Sequence, residues 1–397
     1  MMKHAYLILL VVLLFAACRG DEYVVMSDEQ TVKTGREEVI TPEEAGDSFA
    51  VVGMYLLNEG NMGSNKCTVD YLDLSATDGT IRYLRNIYSE RNPTSLKELG
   101  DVGNDVEIYG SRLWLVVNCS NKVEVATADS CRKLGKIDIP NCRYVTFDGG
   151  FAYVSSYVGP VVVSGDAPIG RVYKVDTLTL QKVDSVEVGY QPEEMAVIDG
   201  RLYVANSGGY RVPLYDRTVS VVNLSTFREE RKIDVADNLH RMEADRYGQL
   251  WVTSRGDYWG TPSRIFWLSC DANGQMQVGD SIQTPVSDMC IVGDSLYFYG
   301  SEFSFSTGQN IVNYGIINVK THQLVTTQLS ASDEISQIML PYGIIVNPFT
   351  RDFYIMDAKD YVSSGELFHF RADGTFDYRV WTGDIPAHAA FVIKKIK

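Results

Sequence analysis

One short phrase recurs along the chain and limits what it can fold into: a turn, an apolar residue, an aromatic, then more apolar residues. The aromatic of each copy falls at Tyr55, Trp114, Tyr153, Tyr203, Trp251, Tyr297 and Tyr354, which makes seven units roughly 40 to 60 residues apart. A period of that size marks a radial or stacked array of small structural units. Each unit reads as four short strands. In the clearest one, 194–198 is a first strand, Asp199-Gly200 is a hairpin turn, and 201–206 is a second strand. A long loop over 207–216 then leads to strands at 218–224 and 231–235. A solenoid is the rival architecture, but its repeats are shorter and more regular. Four antiparallel strands repeated around an axis make a β-propeller, which hides its edges by closing into a ring.

The two ends of the chain support closure. The first unit begins at its second strand, near Met54, without a good inner strand ahead of it. Pro386-Ala387-His388-Ala389-Ala390-Phe391-Val392-Ile393 looks like an orphan first strand. The expected fold is therefore all-β: a seven-bladed β-propeller with four antiparallel strands per blade, closed by a C-terminal strand joining the first blade.

The N-terminus indicates the compartment. Lys3 precedes an apolar run over 5–15 that is too short to span a bilayer, and Phe15-Ala16-Ala17-Cys18 follows. Small residues leading into a cysteine resemble the lipobox of bacterial lipoproteins, which makes Cys18 the expected lipidation site. Arg19-Gly20-Asp21-Glu22 resembles the surface-export signal of some Gram-negative lipoproteins. The stretch that follows is polar, with Glu37-Glu38 and Glu43-Glu44 and no hydrophobic period. The organisation expected is a signal peptide over 1–17, a lipidated acidic tether over 18–48, and the propeller over 49–397. The location expected is the outer membrane, lipid-anchored and facing outward.

The formal net charge of −15 argues against nucleic-acid backbones and anionic membrane surfaces as partners. Six cysteines remain after Cys18 and none form a CxxC or zinc-type spacing; in this fold Cys119 and Cys142 could approach each other, and free buried thiols are the equal alternative. After the signal peptide the histidines are His240, His322, His369 and His388, and no recognised hydrolase, zincin or nucleotide-binding motif is present. Glu193, Glu194 and Asp288, near the channel, could hold a cation as in lactonase-like propellers, but Arg143, Arg241, Gln337 and His388 share the inner-strand starts, a mixture unlike a clean metal site. The expectation is a binding protein rather than an enzyme, with no catalytic residue, no metal and no cofactor.

In a propeller the loops joining strands two to three and four to one share one face. Here the two-to-three loops are long and rich in aromatic and amide side chains, whereas the other face carries plain turns such as Asp271-Ala272-Asn273-Gly274 and Asp373-Gly374. Aromatics give contact area at low entropy cost, and Asn, Ser and Arg give directional hydrogen bonds. The ligand-binding candidates are Asn58, Met62, Asn118, Tyr144, Tyr157, Tyr190, Asn206, Tyr210, His240, Arg241, Arg255, Tyr258, Trp259, Phe303, Phe305, Asp357 and Tyr361. The competing reading is that an Asn after a strand caps a turn, and that a loop aromatic packs on the next loop.

Leu202-Tyr203-Val204-Ala205-Asn206-Ser207-Gly208-Gly209 resembles the repeat of YncE-like seven-bladed propellers. Together with the run from Tyr55 to Asn65, it makes the mature chain similar to the YncE-like surface lipoproteins, and among these to the BtuG group of vitamin B12 capture proteins. That resemblance implies a corrinoid such as cobalamin as a transported ligand rather than a cofactor, and a TonB-dependent outer-membrane transporter as partner. A glycan-binding or adhesive propeller is the alternative, and a lactonase-like propeller enzyme the third reading.

Overall fold

In the computed structural model, which describes residues 27–33, 43–44, 47–76, 78–93, 99–304 and 309–396, each of the seven aromatic-bearing phrases lies on the second strand of an antiparallel sheet. The described residues form seven such sheets. Each innermost strand lies beside those of its two neighbours, and the last returns to the first, so the sheets close a ring. Numbered in chain order, blade four is Pro192–Ile198, Arg201–Asn206, Thr218–Asn223 and Arg228–Asp234. Ile198 pairs with Arg201, leaving Asp199 and Gly200 as a two-residue loop at φ 48° and 71°. Positive φ at both positions suits the right-handed twist of the flanking strands, which is why Asp-Gly is found there.

Blade one is completed from both ends of the chain. Pro386–Ile396 pairs with Asp47–Asn58 in a ladder running from Ser48 opposite Ile396 to Asn58 opposite Pro386. The closure expected from the orphan strand is therefore present. One expectation is corrected. Glu29–Lys33, inside the stretch read as a tether, is a strand hydrogen-bonded to Thr80–Leu84 on the outer edge of blade one. Val32 packs on the apolar cluster between blades one and seven, but the rest of the strand's hold is polar, which is why hydrophobic patterning missed it. Arg82 pairs with Glu29 at 2.9 Å, and the Gln30 amide both donates to and accepts from the Trp381 backbone, strapping blade one to blade seven. The signal peptide and Cys18 lie outside the described residues. Among those described, no helix is long and apolar enough to cross a membrane.

The repeated aromatic has one structural task. Each second strand is buried on both faces, as in Arg112–Val117, so its alternate residues serve different neighbours. Leu113, Leu115 and Val117 pack with Tyr55 and Leu57 of blade one, whereas Trp114 and Val116 pack with Val145, Ala152 and Val154 of blade three. In the same way Tyr203 faces blade five, Trp251 faces blade six and Tyr354 faces blade one. The aromatic thus always meets the following blade.

Around the channel a second device joins the blades. Asp105 accepts the Val145 N–H at 2.8 Å, Glu194 that of Met242 at 2.7 Å, Glu243 that of Ile291 at 2.9 Å, and Asp288 that of Ile344 at 3.1 Å. Each carboxylate reaches from one inner strand to the backbone of the next. Glu194 and Asp288, considered above as cation holders, are occupied in this way. Among the described residues no group of three or more His, Cys, Asp or Glu is placed to hold a metal. Burial pushes the Glu194 carboxyl up to about 8 and those of Asp105 and Glu243 up to about 7. The six described cysteines, Cys119 and Cys142 included, are free thiols.

Candidate functional site

A cavity of about 710 Å³ opens at one end of the channel, on the face carrying the two-to-three loops. Its floor comes from a repeated irregularity in the inner strands. In blades two, three, four, five and seven the ladder from first to second strand slips where the first strand begins: between Gly103 and Asp105, Cys142 and Val145, Pro192 and Met195, Leu239 and Met242, and Pro341 and Gly343. A bulge frees residues from the ladder and turns their side chains. The residues so skipped include Asn104, Arg143, Tyr144, His240, Arg241 and Tyr342, and these six all line the cavity.

Charge on the floor is tightly arranged. Arg143 meets Glu193 Oε2 through Nε and Nη2, both at 3.3 Å, and Arg255 lies 3.6 Å from Glu193 Oε1. The Tyr157 hydroxyl donates to that same carboxylate. Arg241 sits 2.9 Å from Asp288 and 3.9 Å from Glu194. The Tyr144 hydroxyl and His240 Nε2 are hydrogen-bonded at 3.0 Å. Burial, with Arg255, Arg241 and Arg143 nearby, holds His240 well below the usual imidazole range, so it is neutral at pH 7. His388 is held down by burial and by Arg241 and Arg143. Glu59 is pushed up to about 7 by burial and accepts the Tyr342 hydroxyl at 3.3 Å.

The rim is aromatic and exposed. Tyr258 is 56% and Trp259 83% exposed, and Tyr361, at 43%, meets Tyr342 edge-on at 5.5 Å. The blade-five loop is nonetheless ordered from within. Asp257 accepts the N–H groups of Trp259, Gly260 and Thr261 at 2.8 to 2.9 Å, which hold its carboxyl down to about 2. Asp360 organises the Tyr361 loop in the same manner through the N–H groups of Val362 and Ser363.

Of the candidates read from the sequence, Tyr144, His240, Arg241, Arg255, Tyr258, Trp259 and Tyr361 come together at this cavity. Others are engaged within the framework. Asn58, Asn118, Asn206 and Asp357 are fully buried. Asn58 donates to Thr68, Asn118 to the Cys142 carbonyl, and Asn206 to Thr218 and Ser220. Asp357 accepts the N–H groups of Leu340 and Lys359. Tyr157 is pinned on Glu193, Tyr190 lies 3.6 Å beneath the Arg211 guanidinium, and Tyr210 rests edge-on against Tyr157. Met62 is exposed but outside the cavity wall. The side chain of Phe303, and Phe305 altogether, lie outside what is described. Glu59, Asn104, Tyr299 and Tyr342 line the cavity and were not foreseen. Arg143 and His388 had been placed at inner-strand starts without being chosen as ligands. That position was the usable signal.

Residues 52–371 match a family described as a domain of unknown function, DUF5074. The chain belongs to the DUF5074 family. Solved structures similar to this DUF5074 propeller include the periplasmic gluconolactonase PpgL of Pseudomonas aeruginosa. It is 12% identical at a TM-score of 0.55, covering 86% of this chain and 99% of that one. Hydrazine synthase of Kuenenia stuttgartiensis is 16% identical at a TM-score of 0.55, covering 74% of this chain and 95% of that one. At such identities the likeness speaks to the fold alone. No curated protein matches the sequence significantly.

Proposed function

We propose that this DUF5074 propeller is a cell-surface binding protein, anchored through Cys18 at the outer membrane, that captures a corrinoid such as cobalamin and passes it unchanged to a TonB-dependent transporter. The observation that carries the reading is the cavity. About 710 Å³ lies within the range of small-molecule sites, and its wall alternates flat aromatics with guanidinium and amide groups. A corrinoid has broad apolar faces and a rim of amides, which such a wall suits. It is larger than a typical pocket ligand, so part of it would enter while the remainder lies against the exposed Tyr258 and Trp259. The resemblance to the cobalamin-capture group supports the ligand class, and the lipobox supports the anchor.

Calorimetry with cyanocobalamin is the test. The expectation is one-to-one binding at nanomolar affinity or better, about −12 kcal/mol, with the ligand recovered unaltered. Replacing Tyr258 and Trp259 together by Ala should cost at least about 2 kcal/mol. Asp271, which accepts the N–H groups of Asn273 and Gln275 in a turn outside the cavity wall, should be dispensable. Failure to bind either cobalamin or cobinamide would remove the corrinoid reading and make surface glycans the next ligands to try.

A further inference from the structure

The chain carries 51 acidic against 36 basic residues, yet three guanidinium groups converge on one cavity. Their counter-charges are unequally shared. Arg241 has Asp288 at 2.9 Å to itself. Arg143 and Arg255 share the single carboxylate of Glu193, which also receives the Tyr157 hydroxyl and lies 3.4 Å from the Ser207 hydroxyl. Arg143 takes the closer place, with two N–H groups on Glu193 Oε2, whereas Arg255 stands 3.6 Å off, outside hydrogen-bond reach. The Arg255 side chain is also the most open of the three, 34% exposed against 15% for Arg143 and 7% for Arg241. Glu59, one of the two carboxylates in the wall, accepts the Tyr342 hydroxyl and lies 4.0 Å from the His388 ring; the other, Glu302, is an exposed group of blade six. Glu193 thus braces two cations while neutralising one. The guanidinium left over faces the cavity with its fork of donors free, the geometry that suits the oxygens of a phosphate.

We infer that Arg255, braced by Glu193 and flanked by Arg143, is an oxyanion subsite that seats a phosphate group carried by the ligand. This inference deepens the corrinoid reading and rests on it for the identity of the ligand, but not for the existence of the subsite. A complete cobalamin carries one phosphodiester, and its cobinamide precursor carries none. The subsite therefore makes the protein favour the complete form, with Arg255 as the group that distinguishes the two.

Two measurements on the full chain test this. In the first, inorganic phosphate is titrated at constant ionic strength against chloride, following thermal unfolding and tryptophan fluorescence. Wild type should be stabilised with saturation in the millimolar range, Arg255→Gln should lose the response, and Arg255→Lys should keep a weakened one because the charge remains without the fork. Equal behaviour in phosphate and chloride would overturn the subsite. In the second, cyanocobalamin and dicyanocobinamide are compared. Wild type should prefer cobalamin by at least about tenfold, and Arg255→Gln should level the two. Equal affinity for both in wild type would refute the subsite and leave the corrinoid reading standing. A phosphate response without binding of either corrinoid would do the reverse. Should Arg255→Gln misfold, the Arg255→Lys comparison still decides the matter.

Discussion

Lowering the pH from 8 to 6.5 should stabilise this propeller, and the amount follows from the channel. Asp105, Glu194, Glu243 and Glu59 all lose hydration on folding, and burial raises their carboxyls to about 7, or about 8 for Glu194. In the unfolded chain the same groups titrate near 4. The folded state therefore holds protons that the unfolded state has released, and stability falls as pH climbs from about 4 through 8. Between pH 8 and 6.5 each carboxyl contributes on the order of 1 kcal/mol. His240 and His388 act in the opposite direction, since both are held well below their ordinary range and resist the proton that the unfolded chain accepts. Only about half of the unfolded imidazole is charged at pH 6.5, so together the two offset less than about 1 kcal/mol. Because the carboxyls also sense one another and Arg241, the net gain is on the order of 2 kcal/mol. Equilibrium urea unfolding at pH 8, 7.25 and 6.5, followed by tryptophan fluorescence, measures it. Glu243→Gln removes one of the titrations while keeping an acceptor for the Ile291 N–H, and should flatten the profile by about 1 kcal/mol. Stability that is constant, or that rises toward pH 8, would show that these carboxyls are ionised in the folded protein and that burial does not govern the channel.

Ending the chain at Asp384 strips Pro386–Ile396 from blade one and bares the edge at Asp47–Asn58, so the truncated protein should aggregate or unfold well below the full chain in a thermal scan; an unchanged transition would contradict closure by that strand. Trp114→Ala should destabilise the protein by about 3–5 kcal/mol in urea unfolding because the ring is fully buried between blades two and three, whereas Trp259→Ala, on an exposed rim, should stay within about 0.5 kcal/mol. Cys18→Ala should release the protein from the membrane fraction or stall its processing, and external protease should remove the wild type from intact cells; protection until the cells are lysed would rule out surface display.

The fold was legible because its signals are local and repeated. Asp199-Gly200 announces a hairpin, the run from Leu113 to Val117 announces a strand buried on both sides, and the aromatic announces one contact with the next blade, seven times over. Even the missing inner strand was visible as an absence near Met54 and a surplus after Pro386. The Glu29–Lys33 strand was not legible, because Val32 is its one residue packed on an apolar cluster and the rest of its hold is backbone bonds and the pairs of Glu29 and Gln30. The site was legible only in part. Loop composition found Tyr258, Trp259 and Tyr361, but it equally flagged Asn118 and Asn206, whose amides are spent holding turns and strands together. The length of a loop says where a binding surface can lie, not which of its polar groups are already engaged.

The bulges explain why Asn104 and Tyr342 on the floor of the cavity escaped notice, and they also show how this fold separates endurance from recognition. Along a regular ladder each residue is committed to one blade face or the other, and a change there opens a void between blades. A residue skipped by the ladder carries no such obligation. In this chain Arg143, Tyr144, His240, Arg241 and Tyr342 stand at skipped positions, while their neighbours Val145, Met242 and Ile344 stay in the core. The carboxylates that join the blades lie at the same level, and Asp105, Glu194 and Asp288 are thus both rivets and part of the field felt by Arg241. Recognition residues can therefore vary from blade to blade without disturbing the packing, but only so long as each guanidinium keeps its carboxylate. Glu193, which serves two of them, is where that arrangement is under greatest strain, and it is the residue through which a change in ligand preference would be felt in the framework.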